Sequence, residues 1–247
     1  MCRLYENQAI LCSVSLYNYD KNVDYRVSTA LKDSNQQGRD MIISFEGIDG
    51  SGKSTQAHRL MARLSREAKE IMYVREPGGT EVSERIRDVL LDPGLTIFPF
   101  AEMLLFSAAR SQLVQEKIKP FHARGGIIIC DRFFDSTVAY QGGGRGVADA
   151  DWLESFQRTV TAGVWPDRTY LVDITVTEAT KRLASRSGEK RLADRMEQAG
   201  GPFFERVRAT YLSLAEKDPK RYVVIDGSGS EDEVESQIWK DVSSLLY

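Results

Sequence analysis

Short apolar runs alternate with longer amphipathic stretches along the chain from Met41 onward. Five apolar runs are nearly continuous, as expected of strands that are covered on both faces: MIISF, IMYVR, GIIICD, RTYLVD and RYVVID. Helical spacing marks the stretches QAHRLMARLSREA, AEMLLFSAARSQLVQEKIKPF, DWLESFQRTV, TEATKRLAS, PFFERVRATYLSLAEK and EDEVESQIWKDVSSLL. This alternation predicts one α/β domain over residues 41–247, with a five-stranded parallel sheet between two layers of helices.

Residues 1–40 lack clean periodicity and end in the polar stretch LKDSNQQGRD. Their acidic and basic residues balance, and no basic start leads into an apolar stretch with a small-residue cleavage site, so a secretory signal is not indicated. We expect this segment to be a poorly structured extension, or a mis-assigned start upstream of Met41.

The stretch GIDGSGKS, residues 47–54, matches the phosphate-loop (P-loop) pattern. Glycines let successive backbone N–H groups turn toward phosphate oxygens, and the helix that begins there favours anions. Lys53 is expected to reach the β- and γ-phosphates, and the Ser54 hydroxyl to bind Mg²⁺. The alternative is a glycine turn with a chance lysine. The predicted triphosphate-binding residues are Gly47, Ile48, Asp49, Gly50, Ser51, Gly52, Lys53, Ser54 and Thr55.

A second signal is an apolar strand that ends in Asp131 and Arg132. In a parallel sheet this strand end lies beside the phosphate loop. Asp131 is then placed to hold Mg²⁺ through water, and Arg132 to neutralise the transferring phosphoryl group. An ordinary salt bridge at a strand end is the alternative.

The composition and net charge of the chain limit the classes of partner, compartment and metal site that are expected. The formal charge of −3 gives no reason to expect a nucleic-acid polymer or an anionic membrane as partner, and no apolar run reaches about 20 residues. Three scattered cysteines indicate a reducing compartment, hence the cytoplasm. With two histidines and no paired cysteines, a zinc site is not expected.

Four motifs occur in order: VREPGGTEVSERIRDVLLDP (74–93), LLFSAARSQL (104–113), DRFFDSTVAYQGGGRG (131–146) and SRSGEKRLADRME (185–197). Together with the phosphate loop, this set resembles bacterial-type thymidylate kinases, which are P-loop nucleoside monophosphate kinases. The resemblance covers the chain from Met41 to its end and implies the three-layer P-loop NTPase fold with a short basic lid.

The resemblance implies a dTMP site. Phe106 corresponds to the aromatic residue that stacks on thymine, although core packing is the alternative for Phe106 taken alone. Arg110 corresponds to the donor to the base O4, and Arg75 to the residue that binds the acceptor phosphate. Asp49 and Tyr140 correspond to the residues around the sugar 3′-hydroxyl, with Tyr140 crowding out a 2′-hydroxyl, and Ser136, Thr137 and Gln141 to residues that line the base or the sugar. Arg132 is also included among the substrate-binding residues.

The basic stretch 185–197 corresponds to the lid of the family, although a charge run is usually a solvated face. Members of the family whose phosphate loop carries an arginine tend to lack lid arginines, and the reverse. Because the phosphate loop of this chain lacks an arginine, the resemblance implies that the lid supplies a catalytic cation. Arg191 is favoured, followed by Arg186 and Arg195, and these act with Lys53 and Arg132.

The implied reaction is phosphorylation of dTMP to dTDP by ATP and Mg²⁺ in dTTP biosynthesis, with Ser54 and Asp131 at the metal. A homodimer is also implied. The alternatives are a kinase for another nucleoside monophosphate or for a deoxynucleoside, a nucleotide switch, and an inactive relative. A switch needs a base-reading Asn-Lys-X-Asp motif, and none is visible in the sequence.

Overall fold

A computed structural model describes residues 27–28, 40–66, 70–186 and 194–246. Its central sheet has the strand order β1-β3-β4-β2-β5-β6, and the strands β2 to β6 run parallel to one another. The strands are β1 (Val27–Ser28), β2 (Met41–Glu46), β3 (Ile71–Arg75), β4 (Ile127–Asp131), β5 (Arg168–Asp173) and β6 (Tyr222–Asp226).

Helices cover both faces of this sheet, so the predicted three-layer α/β architecture is confirmed. They are α1 (Lys53–Ser65), α2 (Glu81–Leu91), α3 (Pro99–Leu113), α4 (Lys119–His122), α5 (Phe134–Thr137), α6 (Ala150–Val160), α7 (Val176–Arg186), α8 (Gly201–Lys217) and α9 (Glu231–Leu246). Two π-helical segments, Val114–Ile118 and Val138–Gly144, extend α3 and α5, and a 3-10 turn spans Glu197–Ala199.

Alternate strand residues enter different cores, which explains why the apolar runs are continuous. In β2, Ile43 and Phe45 pack with Leu60 of α1 and Ile238 of α9. Ile42 faces the opposite side, in the core that α3, its π-helical extension and α4 share. A third core lies between α6, α8 and the segment Val138–Gly144. Burial of apolar side chains on both faces of the sheet stabilises the fold, and it accounts for the continuous apolar runs in the sequence.

Three features go beyond the predicted elements. β1 pairs antiparallel with β3 and adds a sixth, two-residue strand at the sheet edge. α2 was not predicted, although the Thr80 side chain caps it by accepting from the Ser83 N–H. The helical segment 134–144 was not predicted either, because its three glycines disfavour a helix. Apart from residues 27–28 and 40, the prediction for residues 1–40 lies outside the described residues.

The strand order brings three polar strand ends together. Arg75 at the end of β3 lies in register with Asp131 of β4, and Asp131 in turn lies in register with Phe45 of β2. Glu46 follows Phe45 and leads into the phosphate loop. The charged side chains of these strand ends therefore lie together at the carboxyl edge of the sheet, where folds of this kind bind their ligands. Among the described residues, no helix has the length and hydropathy to cross a lipid bilayer.

Candidate active site

The loop between β2 and α1 forms a concave turn of backbone at the carboxyl edge of the sheet. Gly47 has a φ of 140° and Gly52 a φ of 95°, values that favour glycine. A Cβ on Gly47 would lie 2.5 Å from the carbonyl oxygen of Val172, so no side chain fits there. α1 begins at Lys53 without a side-chain cap or an acidic residue in its first turn. Its first N–H groups are therefore available to an anion such as a phosphate.

A cavity of about 180 Å³ lies beside this loop. The predicted residues that line it are Asp49, Lys53, Ser54, Arg75, Phe106, Arg110, Asp131, Arg132, Ser136, Thr137, Tyr140 and Gln141. The other predicted phosphate-loop residues are not part of its lining: Gly47, Ile48, Gly50, Ser51, Gly52 and Thr55. Residues that sequence reasoning missed also line it: Glu76, Pro77, Arg87, Leu91, Asp194 and Met196.

Arg132 connects the strand end to the phosphate loop. Its φ of 73° is left-handed, which is strained for a residue other than glycine. Its backbone N–H donates to the carbonyl oxygen of Phe45 over 3.0 Å. Its guanidinium donates to Asp49 (2.7 Å), the Tyr140 hydroxyl (2.9 Å) and the Gly47 carbonyl (3.1 Å). These contacts stabilise the strained backbone conformation of Arg132 and orient its guanidinium toward the phosphate loop.

Asp49 is the carboxylate that Arg132, Tyr140 and Lys53 all contact. The Tyr140 hydroxyl donates to its Oδ2 over 3.0 Å, and Lys53 Nζ lies 3.6 Å from its Oδ1. Burial raises the pKa of Asp49, but Arg132 and Lys53 outweigh burial and hold that pKa well below its usual range. Burial raises the pKa of Tyr140 well above its usual value. At neutral pH, Asp49 is therefore ionised and Tyr140 keeps its proton.

Two arginines from different elements face the cavity near the Pro77–Gly79 turn. Arg75 contacts Glu84 at 3.3 Å, while its buried Nε has no hydrogen-bond partner among the described residues. Arg87 donates to the carbonyl oxygen of Pro77 over 3.0 Å. Burial and the neighbouring charge of Arg75 lower the pKa of Arg87 to about 10. Two adjacent cations with spare donors suit a dianionic phosphate. Arg87 was missed because α2 was not predicted.

Arg110 is 2% exposed and lies at the cavity wall. Its Nε and Nη2 contact the Glu76 carboxylate at 2.7 and 2.6 Å. Its remaining N–H groups donate to Thr137, Gln157 and the backbone carbonyl of Phe133. All five guanidinium donors therefore have protein partners, and a contact with a base would have to be shared with one of them. Phe106, one helical turn earlier, also lines the cavity.

Glu46 is a fully buried carboxylate that sequence reasoning did not assign to the site. It accepts from the Phe133 N–H, the Ser136 hydroxyl and the Tyr211 hydroxyl, each over 2.7 Å. Ser136 and Tyr211 in turn accept from Arg132 at 3.1 and 3.3 Å. Burial and the nearby charge of Asp135 raise the pKa of Glu46 to about 7. Through Ser136 and Tyr211, Glu46 thus helps to hold the Arg132 side chain in place.

Arg195 was predicted as a lid arginine, and in the structure it contacts Glu102 of α3 and the carboxyl end of α2. Its Nη1 contacts the buried carboxylate of Glu102 at 2.5 Å, and its Nε donates to the carbonyl oxygen of Leu90 over 2.8 Å. Glu102 gains a counter-charge from this contact, and the carbonyl at the end of α2 gains a donor. Arg195 itself is not part of the cavity lining. The other lid candidates lie outside the described part of the chain: Arg191 and the side chain of Arg186.

Asp131 and Ser54, which the sequence predicts to bind a metal ion, both offer oxygen atoms as ligands. The Oδ1 of Asp131 is buried and has no hydrogen-bond partner among the described residues, and its Oδ2 accepts from the Tyr73 hydroxyl over 3.1 Å. Ser54 shares the cavity with Asp131. An unpartnered carboxylate oxygen and a hydroxyl that line one cavity suit a hard divalent cation. The described residues include no cluster of three or more acidic, histidine or cysteine ligands, so phosphate oxygens and water would have to complete the coordination.

Comparisons with known proteins agree with this geometry. A family model described as thymidylate kinase matches residues 45–238. The thymidylate kinase of Chlorobium chlorochromatii is 44% identical over 83% of this chain and 96% of that protein. That of Deinococcus radiodurans is 43% identical over 82% of this chain and 96% of its own. The crystal structure of the Ehrlichia chaffeensis thymidylate kinase superimposes with a TM-score of 0.67 at 33% identity, covering 83% of this chain and 99% of that one.

Proposed function

The chain belongs to the thymidylate kinase family, and we propose that its cavity binds dTMP while its phosphate loop binds ATP with Mg²⁺. The enzyme phosphorylates dTMP to dTDP in dTTP synthesis, with ATP as co-substrate and a metal ion. The assignment of residues to each substrate rests on the contacts of the site.

One observation carries this assignment. A single cavity is bounded by Lys53 and Ser54 of the phosphate loop and, elsewhere on its wall, by Phe106 and Arg110 of α3. A nucleotide whose base lies against α3 can therefore extend its 5′-phosphate toward the phosphate loop. Two phosphorylated ligands that meet in this way are the requirement for direct phosphoryl transfer.

Phosphoryl transfer at this site requires that the two substrates are aligned and that positive charge lies near the transferring group. A phosphate oxygen of dTMP attacks the γ-phosphorus in line, the bond to the β-phosphate oxygen breaks, and no covalent enzyme intermediate forms. The acceptor phosphate is already ionised, so no general base is needed. Lys53 and Arg132 stabilise the charge that spreads over the transferring group, together with a cation from the lid stretch 185–197, for which Arg191 is the candidate.

The acceptor phosphate has its own cations. Arg75 has a buried Nε without a partner among the described residues, and Arg87 faces the same cavity. Both suit the 5′-phosphate of dTMP, which carries close to two negative charges. Holding that phosphate between two arginines would orient the attacking oxygen.

The sugar is assigned to the pair of Asp49 and Tyr140. Asp49 is ionised and accepts hydrogen bonds, so it suits the 3′-hydroxyl of a deoxyribose. The Tyr140 ring is 5% exposed and fixed by bonds to Asp49 and Arg132. A rigid ring in this position would crowd a 2′-hydroxyl and favour deoxynucleotides.

Mg²⁺ is assigned to Ser54 and Asp131. When bound, the ion would supply positive charge that neutralises the charge developing on the phosphates. The unpartnered Oδ1 of Asp131 supports this assignment, because a buried carboxylate oxygen without a donor is costly.

A homodimer is also proposed. Phe100 and Leu104, one turn apart on α3, are 54% and 45% exposed, and Val82 and Val89 of α2 are similarly exposed. α2 and α3 pack against each other, so these residues lie on adjoining helices. Exposed apolar residues on adjoining helices are typical of a subunit interface. We place the enzyme in the cytoplasm, as its few cysteines suggest.

The test is ADP production by the full-length chain with ATP, Mg²⁺ and a panel of nucleoside monophosphates. We expect dTMP to be the best acceptor, dUMP weaker, and UMP, CMP and dCMP poor. A preference for CMP or UMP would favour the rival assignment to another nucleoside monophosphate kinase. ATP hydrolysis that does not respond to any monophosphate would favour a nucleotide switch.

A further inference from the structure

Glu102 of α3 is a fully buried carboxylate at the edge of the proposed base site. It accepts from Gln141 Nε2 over 2.9 Å, from Arg145 Nε and Nη2 over 3.2 Å each, and from Arg195 Nη1 over 2.5 Å. One buried charge thus receives hydrogen bonds from two arginines and one amide. Of these donors, Gln141 is the one that lines the cavity.

The contact with Glu102 determines which end of the Gln141 amide faces the cavity. An ionised carboxylate accepts hydrogen bonds and donates none, so the –NH₂ group of Gln141 must point at Glu102. Burial acts to raise the pKa of Glu102, but the hydrogen bonds from Gln141, Arg145 and Arg195 outweigh burial and lower it. Glu102 is therefore ionised at neutral pH, and the amide cannot reverse without losing this bond.

The carbonyl oxygen of Gln141 is the group that remains for a ligand. Gln141 is 2% exposed, and its amide nitrogen is engaged by Glu102. A fixed acceptor suits the N3–H of thymine or uracil. The N3 of cytosine is itself an acceptor, so its lone pair would face the Gln141 oxygen without a hydrogen between them. A free amide could reverse and donate to cytosine N3 instead.

We propose that Glu102 is a positioning residue that sets base specificity by locking the Gln141 amide with its carbonyl oxygen toward the base. This inference rests on the proposed function, because it requires the base of the acceptor to lie beside Gln141. It concerns the choice between thymine and cytosine, whereas phosphoryl transfer itself depends on the phosphate loop. The specificity would thus depend on a residue that does not touch the substrate.

The test compares dissociation constants of dTMP and dCMP for the wild-type full-length chain and for Glu102→Gln. A glutamine at position 102 can donate or accept, which releases the Gln141 amide to turn. We expect the ratio of the dCMP to the dTMP dissociation constant to fall by about tenfold, since one hydrogen bond and its mismatch are at stake. The ratio need not reach one, because a contact that Arg110 shared between its protein partners and the base would still favour the O4 of thymine over the amino group of cytosine. The Michaelis constant for ATP should stay within about twofold of wild type.

Arg145→Met is the matched control. It removes a neighbour of Glu102 but leaves the bond between Glu102 and Gln141, so the dCMP to dTMP ratio should stay near that of wild type. An unchanged ratio in folded Glu102→Gln would overturn the proposal, as would an equal loss in Arg145→Met. If the wild-type chain itself does not prefer dTMP over dCMP, the proposed function fails before the inference is reached.

A double variant keeps the test decisive if Glu102→Gln does not fold. Exchanging the two residues, Glu102→Gln with Gln141→Glu, retains the total charge and the hydrogen bond, with the donor and acceptor reversed. The carboxylate introduced at position 141 then presents an acceptor oxygen to the base, so discrimination against dCMP should persist. Loss of that discrimination in a folded double variant, judged by its melting temperature, would contradict the proposal.

Discussion

The Tyr140 hydroxyl donates a hydrogen bond to Asp49 Oδ2 over 3.0 Å, although the two residues are 91 positions apart in the chain. Asp49 belongs to the phosphate loop and Tyr140 to the helical segment after β4. Arg132 donates to both of them. The contact therefore joins the proposed sugar site to the loop proposed to bind the triphosphate, so we expect a change at Tyr140 to affect both ligands.

Tyr140→Phe keeps the ring and removes the hydroxyl. Asp49 and Arg132 each lose a partner, so we expect kcat/KM for dTMP to fall by about tenfold, as for the loss of one hydrogen bond to a charged group. Discrimination against UMP relative to dUMP should weaken, because the ring is less firmly held. Tyr170→Phe, whose hydroxyl contacts Asp241, is the control and should leave both values unchanged. Full discrimination in Tyr140→Phe would show that another group reads the sugar.

Phe106→Ala should raise the Michaelis constant for dTMP. A stack of a base on an aromatic ring contributes about 1–3 kcal/mol, which corresponds to roughly 5- to 150-fold. Phe106→Leu retains apolar volume without the stack and should give an intermediate value. The Michaelis constant for ATP serves as the internal control. If steady-state kinetics give wild-type thymidylate affinity for Phe106→Ala, Phe106 does not contact the base.

Lid arginines should separate into two classes. Arg191→Ala should lower kcat by on the order of 10²–10³ with little effect on dTMP binding, as for a cation that acts in the transition state. Arg195→Ala should instead lower the melting temperature, because it leaves the buried carboxylate of Glu102 with one arginine fewer. Single-turnover kinetics and calorimetry measure the two effects. A normal rate in Arg191→Ala would remove it from the catalytic assignment.

Stability should fall as the pH rises from about 4.5 to about 7. The pKa of Glu46 rises from 4.5 to about 7 in the folded protein, mainly through burial and then through Asp135. In this window the folded state binds more protons than the unfolded state, so the free energy of unfolding decreases with pH, by about 3 kcal/mol in total. Denaturant titrations at pH 5 and 7.5 measure the change. Glu76, whose pKa burial also raises, contributes in the same direction.

Glu46→Gln should reduce this slope without abolishing it, since Glu76 still titrates. An identical slope in the variant and in the wild type would mean that Glu46 is not the titrating group. Asp49 and Glu102, whose pKa values are lowered from 3.8 and 4.5, contribute in the opposite direction, but they do so mainly below about pH 5, where their unfolded forms titrate.

The proposed homodimer makes a prediction about mass in solution. A single chain has a mass of 27.8 kDa, and sedimentation velocity should detect twice that mass. Leu104→Glu places a charge on the exposed apolar face of α3 and should shift the sample toward the monomer. Val224→Glu, at an exposed apolar position on β6, is the control that should leave the mass unchanged. A wild-type monomer at micromolar concentration would contradict the proposal.

Much of the site was predictable because its signals are local. The phosphate loop, with Lys53 and Ser54, is contiguous in sequence, and the apolar strands before Gly47 and Asp131 could be recognised by their composition. Parallel strand pairing then places their carboxyl ends side by side whatever the details of packing. The resemblance to a known family supplied Phe106, Arg110 and Tyr140, and the cavity contains all three.

The supporting residues could not be predicted, because their partners are distant in sequence. Glu46 receives its hydrogen bonds from residues 87, 90 and 165 positions away, and Glu102 from residues 39, 43 and 93 positions away. Nothing local distinguishes either glutamate from a solvated one. The sequence by itself determined the fold, the phosphate loop and the charged strand ends, since each depends on neighbouring residues. Only the tertiary structure decided which carboxylates are buried, because burial and pairing arise when remote elements pack together.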